Sequence, residues 1–145
     1  MGIFVFNRQK DLKISASAVK KLVRIVLENE KAECGEICIY FVSEKKISKL
    51  HEQFFQDPSA TDCISFPLEK RPLSGEVFVC PRTAISYAQE RKLDPYQELS
   101  LYIIHGLLHL LGYDDIETFA RRTMRKKEKS CMGKWNRLNS SLRPL

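Results

Sequence analysis

From Leu101 to Leu111 the chain is apolar or aromatic apart from Gly106 and two histidines, His105 and His109, set four residues apart. A run of this character is a core helix, and the spacing puts both imidazoles on one face, about one turn apart. Asp94 and Pro95 open it as an N-cap followed by a first-turn proline. Gly112 ends it, where a left-handed cap turns the chain back. Asp114 and Asp115 come directly after that turn. A carboxylate returned to a paired-histidine face completes a three-ligand set for a divalent metal and leaves one coordination position free. A free position is the mark of a catalytic site, since a structural zinc site is closed by a fourth protein ligand.

The rest of the chain supplies strands and helices to bury that helix. Ile3–Asn7, Glu36–Val42, Cys63–Phe66 and Glu76–Cys80 are short β-branched or aromatic runs and read as strands. Ser15 or Ser17 caps a helix with Val19, Leu22, Val23, Val26 and Leu27 at helical spacing. Ser43 starts a second helix carrying Ile47, Leu50, Phe54 and Phe55, and Pro81 a third, ending near Lys92. Residues 57–62 and 70–75 read as loops, and a last helix follows Asp115. The order β-α-β-α-β-β-α-α-α predicts an α+β fold: a small mixed four-stranded sheet with helices packed on it. The expected organisation is one domain over residues 1–145.

Composition narrows the setting. No run of eighteen apolar residues occurs, so no membrane helix is expected, and the N-terminus reads as a strand rather than a signal peptide. Cys34, Cys38, Cys63, Cys80 and Cys131 form no Cys-x-x-Cys pair, which points to reduced thiols in a cytoplasmic protein. Cys34 and Cys38 could bind a metal, but they read as a loop thiol and a strand thiol. The net charge of +6 is concentrated beyond Ile116, where Arg121, Arg122, Arg125, Lys126, Lys127, Lys129, Lys134, Arg137 and Arg143 face only Glu117 and Glu128. Such a tail suits a polyanion such as RNA, although a solvated helix face has the same composition. Trp135 within it either stacks on a base or anchors the helix. His51, between polar neighbours, reads as a surface residue.

The succession His105, His109, Gly112, Asp115 has the spacing of the metzincin zinc site. Metzincin peptidases place their general base, a glutamate, directly after the first histidine, and this chain has Gly106 there. Peptide hydrolysis by that route is therefore not expected. The eleven residues His105-Gly-Leu-Leu-His-Leu-Leu-Gly-Tyr-Asp-Asp115 resemble the signature of the YbeY family of metal-dependent endoribonucleases, with Asp115 where the family has histidine. Thr61-Asp-Cys-Ile-Ser-Phe-Pro67 and Ser74-Gly-Glu-Val-Phe-Val-Cys80 are similar to two further segments of that family.

The resemblance implies an α+β domain with a metzincin-like helix and one zinc ion on His105, His109 and Asp115. It implies single-strand-specific RNA cleavage in maturation of the 3′ end of small-subunit (16S) rRNA and in ribosome quality control. The implied partners are rRNA, the small ribosomal subunit, a small-subunit ribosomal protein and a ribosome-assembly GTPase. With Gly106 unable to take a proton, Asp62 and Glu76 are the candidate catalytic bases. Asp62 could instead cap a turn, and Glu76 could pair with a surface lysine. Two imidazoles and a carboxylate leave a divalent ion with a charge of about +1 rather than +2, and also suit iron, manganese or nickel. Phe55 stands where the family carries an arginine; it reads as a base-stacking residue or as part of the core, with Arg71 and Arg82 as possible substitutes. A rival reading is a non-catalytic ribosome-assembly factor whose metal only locks the helix and turn.

Overall fold

The computed structural model describes residues 2–57, 59 and 61–145. Four strands form one sheet: β1 (Gly2–Arg8), β2 (Cys34–Val42), β3 (Cys63–Lys70) and β4 (Leu73–Val79). Five helices accompany them: α1 (Ala16–Asn29), α2 (Glu44–Phe55), α3 (Pro81–Arg91), α4 (Pro95–Leu110) and α5 (Thr118–Arg137). The element order and the α+β class are those expected. The spatial order is β1-β2-β4-β3, with β1, β2 and β4 parallel and β3 antiparallel against β4.

Local chemistry sets most of the boundaries. The Ser15 and Ser43 side chains accept from the backbone N–H groups of Ala18 and Lys46, capping α1 and α2. Asp94 does the same for α4 through the N–H of Tyr96, with Pro95 in the first turn. Two expectations change. The third strand continues through Pro67 to Lys70 and returns through a tight Arg71-Pro72 turn, so 70–75 is no loop. The proline is tolerated because β3 is an edge strand, where a missing N–H breaks no ladder, and the register shifts beside it. Cys34 opens β2 and is not a loop thiol. The loop expected over 57–62 includes positions 58 and 60, which lie outside the described residues.

The sheet separates two apolar clusters. On one face α1, α4 and α5 bury Leu22, Val26, Ile103, Leu107, Met124 and Trp135 against Ile37, Ile39 and Val77. On the other, α2 lays Ile47 and Leu50 over Ile64, Phe66 and Phe78. Strand alternation decides which residue joins which: along β4, Leu73, Gly75, Val77 and Val79 are buried toward α4, while the intervening side chains face the other way. Among the described residues no helix is long and apolar enough to cross a membrane.

Candidate metal centre

Helix α4 lies so close to β4 that a Cβ added at Gly106 would come within 2.5 Å of the Val77 Cγ1 methyl. The position that carries the base in a metzincin therefore has no room for any side chain here. The Ser65 hydroxyl donates to the Gly106 carbonyl at 2.8 Å and ties α4 to β3 at the same point. His105, directly before Gly106, and His109, three residues after it, emerge half-buried.

The helix ends in a Schellman turn. Gly112 takes φ +102°, its N–H donates to the His109 carbonyl, and the Tyr113 N–H donates to the Leu108 carbonyl. The reversal brings the Tyr113 carbonyl to His109 Nδ1 at 2.9 Å. The Tyr113 hydroxyl donates to Glu30 at 2.6 Å and fastens the turn to the end of α1. Asp114 closes the next bend by accepting from the N–H groups of Asp115 and Ile116. Asp115 is thereby returned to the histidine face, its carboxylate oxygens 3.5 Å from His105 Nε2 and 3.8 Å from His109 Nε2.

The donor set can be read from the hydrogen bonds. His105 Nδ1 meets the buried Glu128 carboxylate at 2.6 Å, and His109 Nδ1 meets a carbonyl; both partners accept, so both Nδ1 atoms carry the proton. The two Nε2 atoms are then unprotonated in the neutral rings, and they stand 2.9 Å apart with Asp115 beside them. Two lone pairs facing each other at that distance repel unless a cation or a proton lies between them. One ligand atom from each of the three residues falls within 4.8 Å of the others. Tetrahedral zinc bonds of 2.0–2.1 Å set ligand atoms about 3.3 Å apart. The donor set fits a metal ion.

Glu128 was overlooked in the sequence as one of two acids in a basic tail. Its signal was the stripe Met124, Glu128, Cys131, Trp135, the buried residues of α5, in which a carboxylate occupies a core position and so requires a partner. Burial pushes the Glu128 carboxyl up, but His105 and Arg125 outweigh it and hold it below its ordinary value. Burial pushes the His105 imidazole down, but Glu128, then Asp62 and Asp115, raise it above its ordinary value. Both shifts come from the contact between Glu128 and His105.

A cavity of about 510 Å³ opens on the cluster, lined by Asp62, Glu98, His105, Asp115, Arg125 and Glu128 among others. Asp62 is thus brought to the site, with Oδ1 also accepting from the Cys63 N–H at 2.7 Å. Glu76 is not: it lies on the opposite face of the sheet, paired in register with Cys38 and near Tyr40, because β4 alternates and Val77 takes the inward position. The proposed arginine substitutes also lie elsewhere. Arg82 is paired with Asp11 at 2.7 Å, and Arg71 sits at the β3–β4 turn beside Glu30 and Glu33. Phe55 is 57% exposed and is not core, since eight residues beyond Ile47 it points about 80° away from the buried stripe. With His51, which is half-buried rather than fully on the surface, it lines a groove of about 410 Å³ that reaches His109. Trp135 is fully buried and anchors α5.

Fold and site together define an α+β protein whose core helix carries a two-histidine, one-carboxylate cluster open to solvent. The family model described as "Endoribonuclease YbeY" matches residues 4–136. The chain belongs to the YbeY family. An "Endoribonuclease YbeY" of Protochlamydia amoebophila is 51% identical over 116 residues, 77% of each chain. That of Chlamydia felis is 37% identical over 139 residues, 90% of this chain and 88% of the relative. A Thermotoga maritima protein solved in solution superimposes with a TM-score of 0.62 at 28% identity, covering 92% of this chain and 91% of its own.

Proposed function

We propose that this protein, as one domain over residues 1–145, is a metal-dependent, single-strand-specific endoribonuclease. The observation that carries this reading is the pair of Nε2 atoms 2.9 Å apart beside Asp115, in an open cavity, on a chain of the YbeY family. His105, His109 and Asp115 would hold one divalent ion, zinc by the family resemblance, with iron, manganese and nickel compatible with the same donors. When bound, that ion supplies Lewis-acid polarisation of a phosphoryl oxygen.

The chain's own residues do the remainder. Glu128 and the Tyr113 carbonyl fix the tautomer and direction of the two imidazoles. Asp62, at the same cavity, takes the proton of the attacking group. Gly106 leaves no space for a peptidase glutamate. The exposed arginines and lysines of α5 attract the RNA backbone. Within the cell this reading places the protein in the cytoplasm. It acts there in maturation of the 16S rRNA 3′ end and in ribosome quality control, with the small subunit, one of its proteins and an assembly GTPase as partners.

Phe55 in place of the family arginine favours a second reading, a non-catalytic assembly factor. Incubation of purified protein with single-stranded and duplex RNA separates the two. Cleavage of the single strand alone, abolished by a chelator, restored by zinc and absent in His105→Ala, is the expected result. Cleavage that survives both treatments contradicts the metal reading, and full rescue of an assembly defect by a folded His105→Ala protein establishes the non-catalytic one.

A further inference from the structure

The cavity at the cluster is strongly acidic. Asp62, Glu98, Asp115 and Glu128 line it, and among its lining residues Arg125 is the one arginine or lysine. A divalent ion on two imidazoles and Asp115 is left with about +1, and a phosphodiester entering this space still meets the three other carboxylates. Neither Arg71 nor Arg82 lines the cavity. The cationic contribution at this point has to come from α5.

The geometry points to Arg125 as a phosphate-binding subsite for the RNA backbone beside the metal cluster. This rests on the endoribonuclease reading above and specifies how that site holds its substrate. Arg125 lies three residues, nearly one turn, before Glu128 on α5. Glu128 is 4% exposed, and its two oxygens have different tasks. Oε2 accepts from His105 Nδ1 at 2.6 Å, and Oε1 accepts from an Arg125 terminal nitrogen at 3.1 Å. One buried carboxylate therefore sets both a ligand imidazole and a guanidinium, and holds them in fixed relation. The Arg125 side chain is 67% exposed. A guanidinium has five N–H donors in a planar fork, so one edge can stay on Glu128 while another donates to two oxygens of a phosphate. A cation attached to the metal-ligand shell holds the scissile phosphate more precisely than lysines scattered along a helix.

The test is equilibrium binding of a single-stranded 2′-O-methyl RNA oligonucleotide, read by fluorescence anisotropy over a range of salt. Bound metal and thermal midpoint are measured on the same preparations. Arg125→Ala is expected to weaken binding about tenfold and to reduce the slope of log affinity against log salt by about one, with metal content and midpoint unchanged. Arg125→Lys is expected to restore the slope but only part of the affinity, because it keeps the charge and loses the fork. Lys126→Ala, one residue on and about 100° round the helix, is expected to stay within about twofold of wild type. Arg125→Ala with unchanged binding and slope, or with lost metal or a lowered midpoint as its only effect, overturns the subsite and leaves Arg125 as a structural counterion. An equal loss in Lys126→Ala also overturns it, in favour of a diffuse basic surface. Those results leave the endoribonuclease reading standing, whereas wild-type protein that binds no RNA overturns both.

Discussion

The two faces of the sheet are built from the same strands and do different work. On the α4 face the contacts are close and the polar groups around the site helix are paired: Val77 presses on Gly106, Ser65 bonds its carbonyl, and Glu128 reaches His105. On the α2 face a row of aromatic rings crosses the strands. Phe6 stacks on Tyr40 at 4.8 Å and Tyr40 on Phe78 at 4.6 Å, with Phe66 edge-on to Phe78 at 5.7 Å. Glu76 belongs to this second face, near Tyr40, although its neighbour Val77 touches the site helix. A single step along a strand moves a carboxylate from candidate base to bystander.

The sharpest way to break this contrast is to neutralise one carboxylate on each face. Asp62→Asn is expected to lower kcat about a hundredfold, the size of a lost general base, while Glu76→Gln stays within about twofold of wild type. Single-turnover cleavage of single-stranded RNA measures both, and comparable losses in the two variants would erase the distinction between the faces. Close packing is tested next. Gly106→Ala is expected to cost ~2 kcal/mol of stability by urea unfolding, even after the ~1 kcal/mol that alanine gains over glycine in a helix, because Val77 must be displaced. A stabilised variant would show that α4 does not bear on β4 as described.

The smallest effect is on thiols. Burial, then the charge of Glu30, pushes Cys131 in the α4-side core up to about 11, while Cys38 on the aromatic face is half-buried and also raised. At pH 8 about one Cys131 in a thousand is thiolate, rising tenfold per pH unit. Iodoacetamide is expected to modify Cys38 first and Cys131 only as the pH approaches 11. Equal rates at pH 8 would contradict the packing of α5.

What the sequence made legible follows from how local each signal is. The α4 helix, its Asp94-Pro95 start and its Gly112 stop are written in adjacent residues, and a Schellman turn needs nothing beyond its own segment. The convergence of His105, His109 and Asp115 follows from those local rules. What could not be read depends on distant partners. Glu128 becomes intelligible only once α5 is laid against α4, and the side taken by Glu76 only once the pairing register of β4 is fixed. Pro67 hid the second half of β3 because an edge position, which excuses a proline, is a property of the whole sheet. Phe55 could be assigned to neither core nor surface without knowing how far round α2 the sheet extends.

The central claim is that His105, His109 and Asp115 grip one divalent ion, and the metal content of purified protein tests it most directly. The account predicts one ion per wild-type chain and its loss in Asp115→Ala, with the variant still folded. A wild-type protein that carries no metal and takes none up from solution, or an Asp115→Ala protein that retains its full complement, would contradict it.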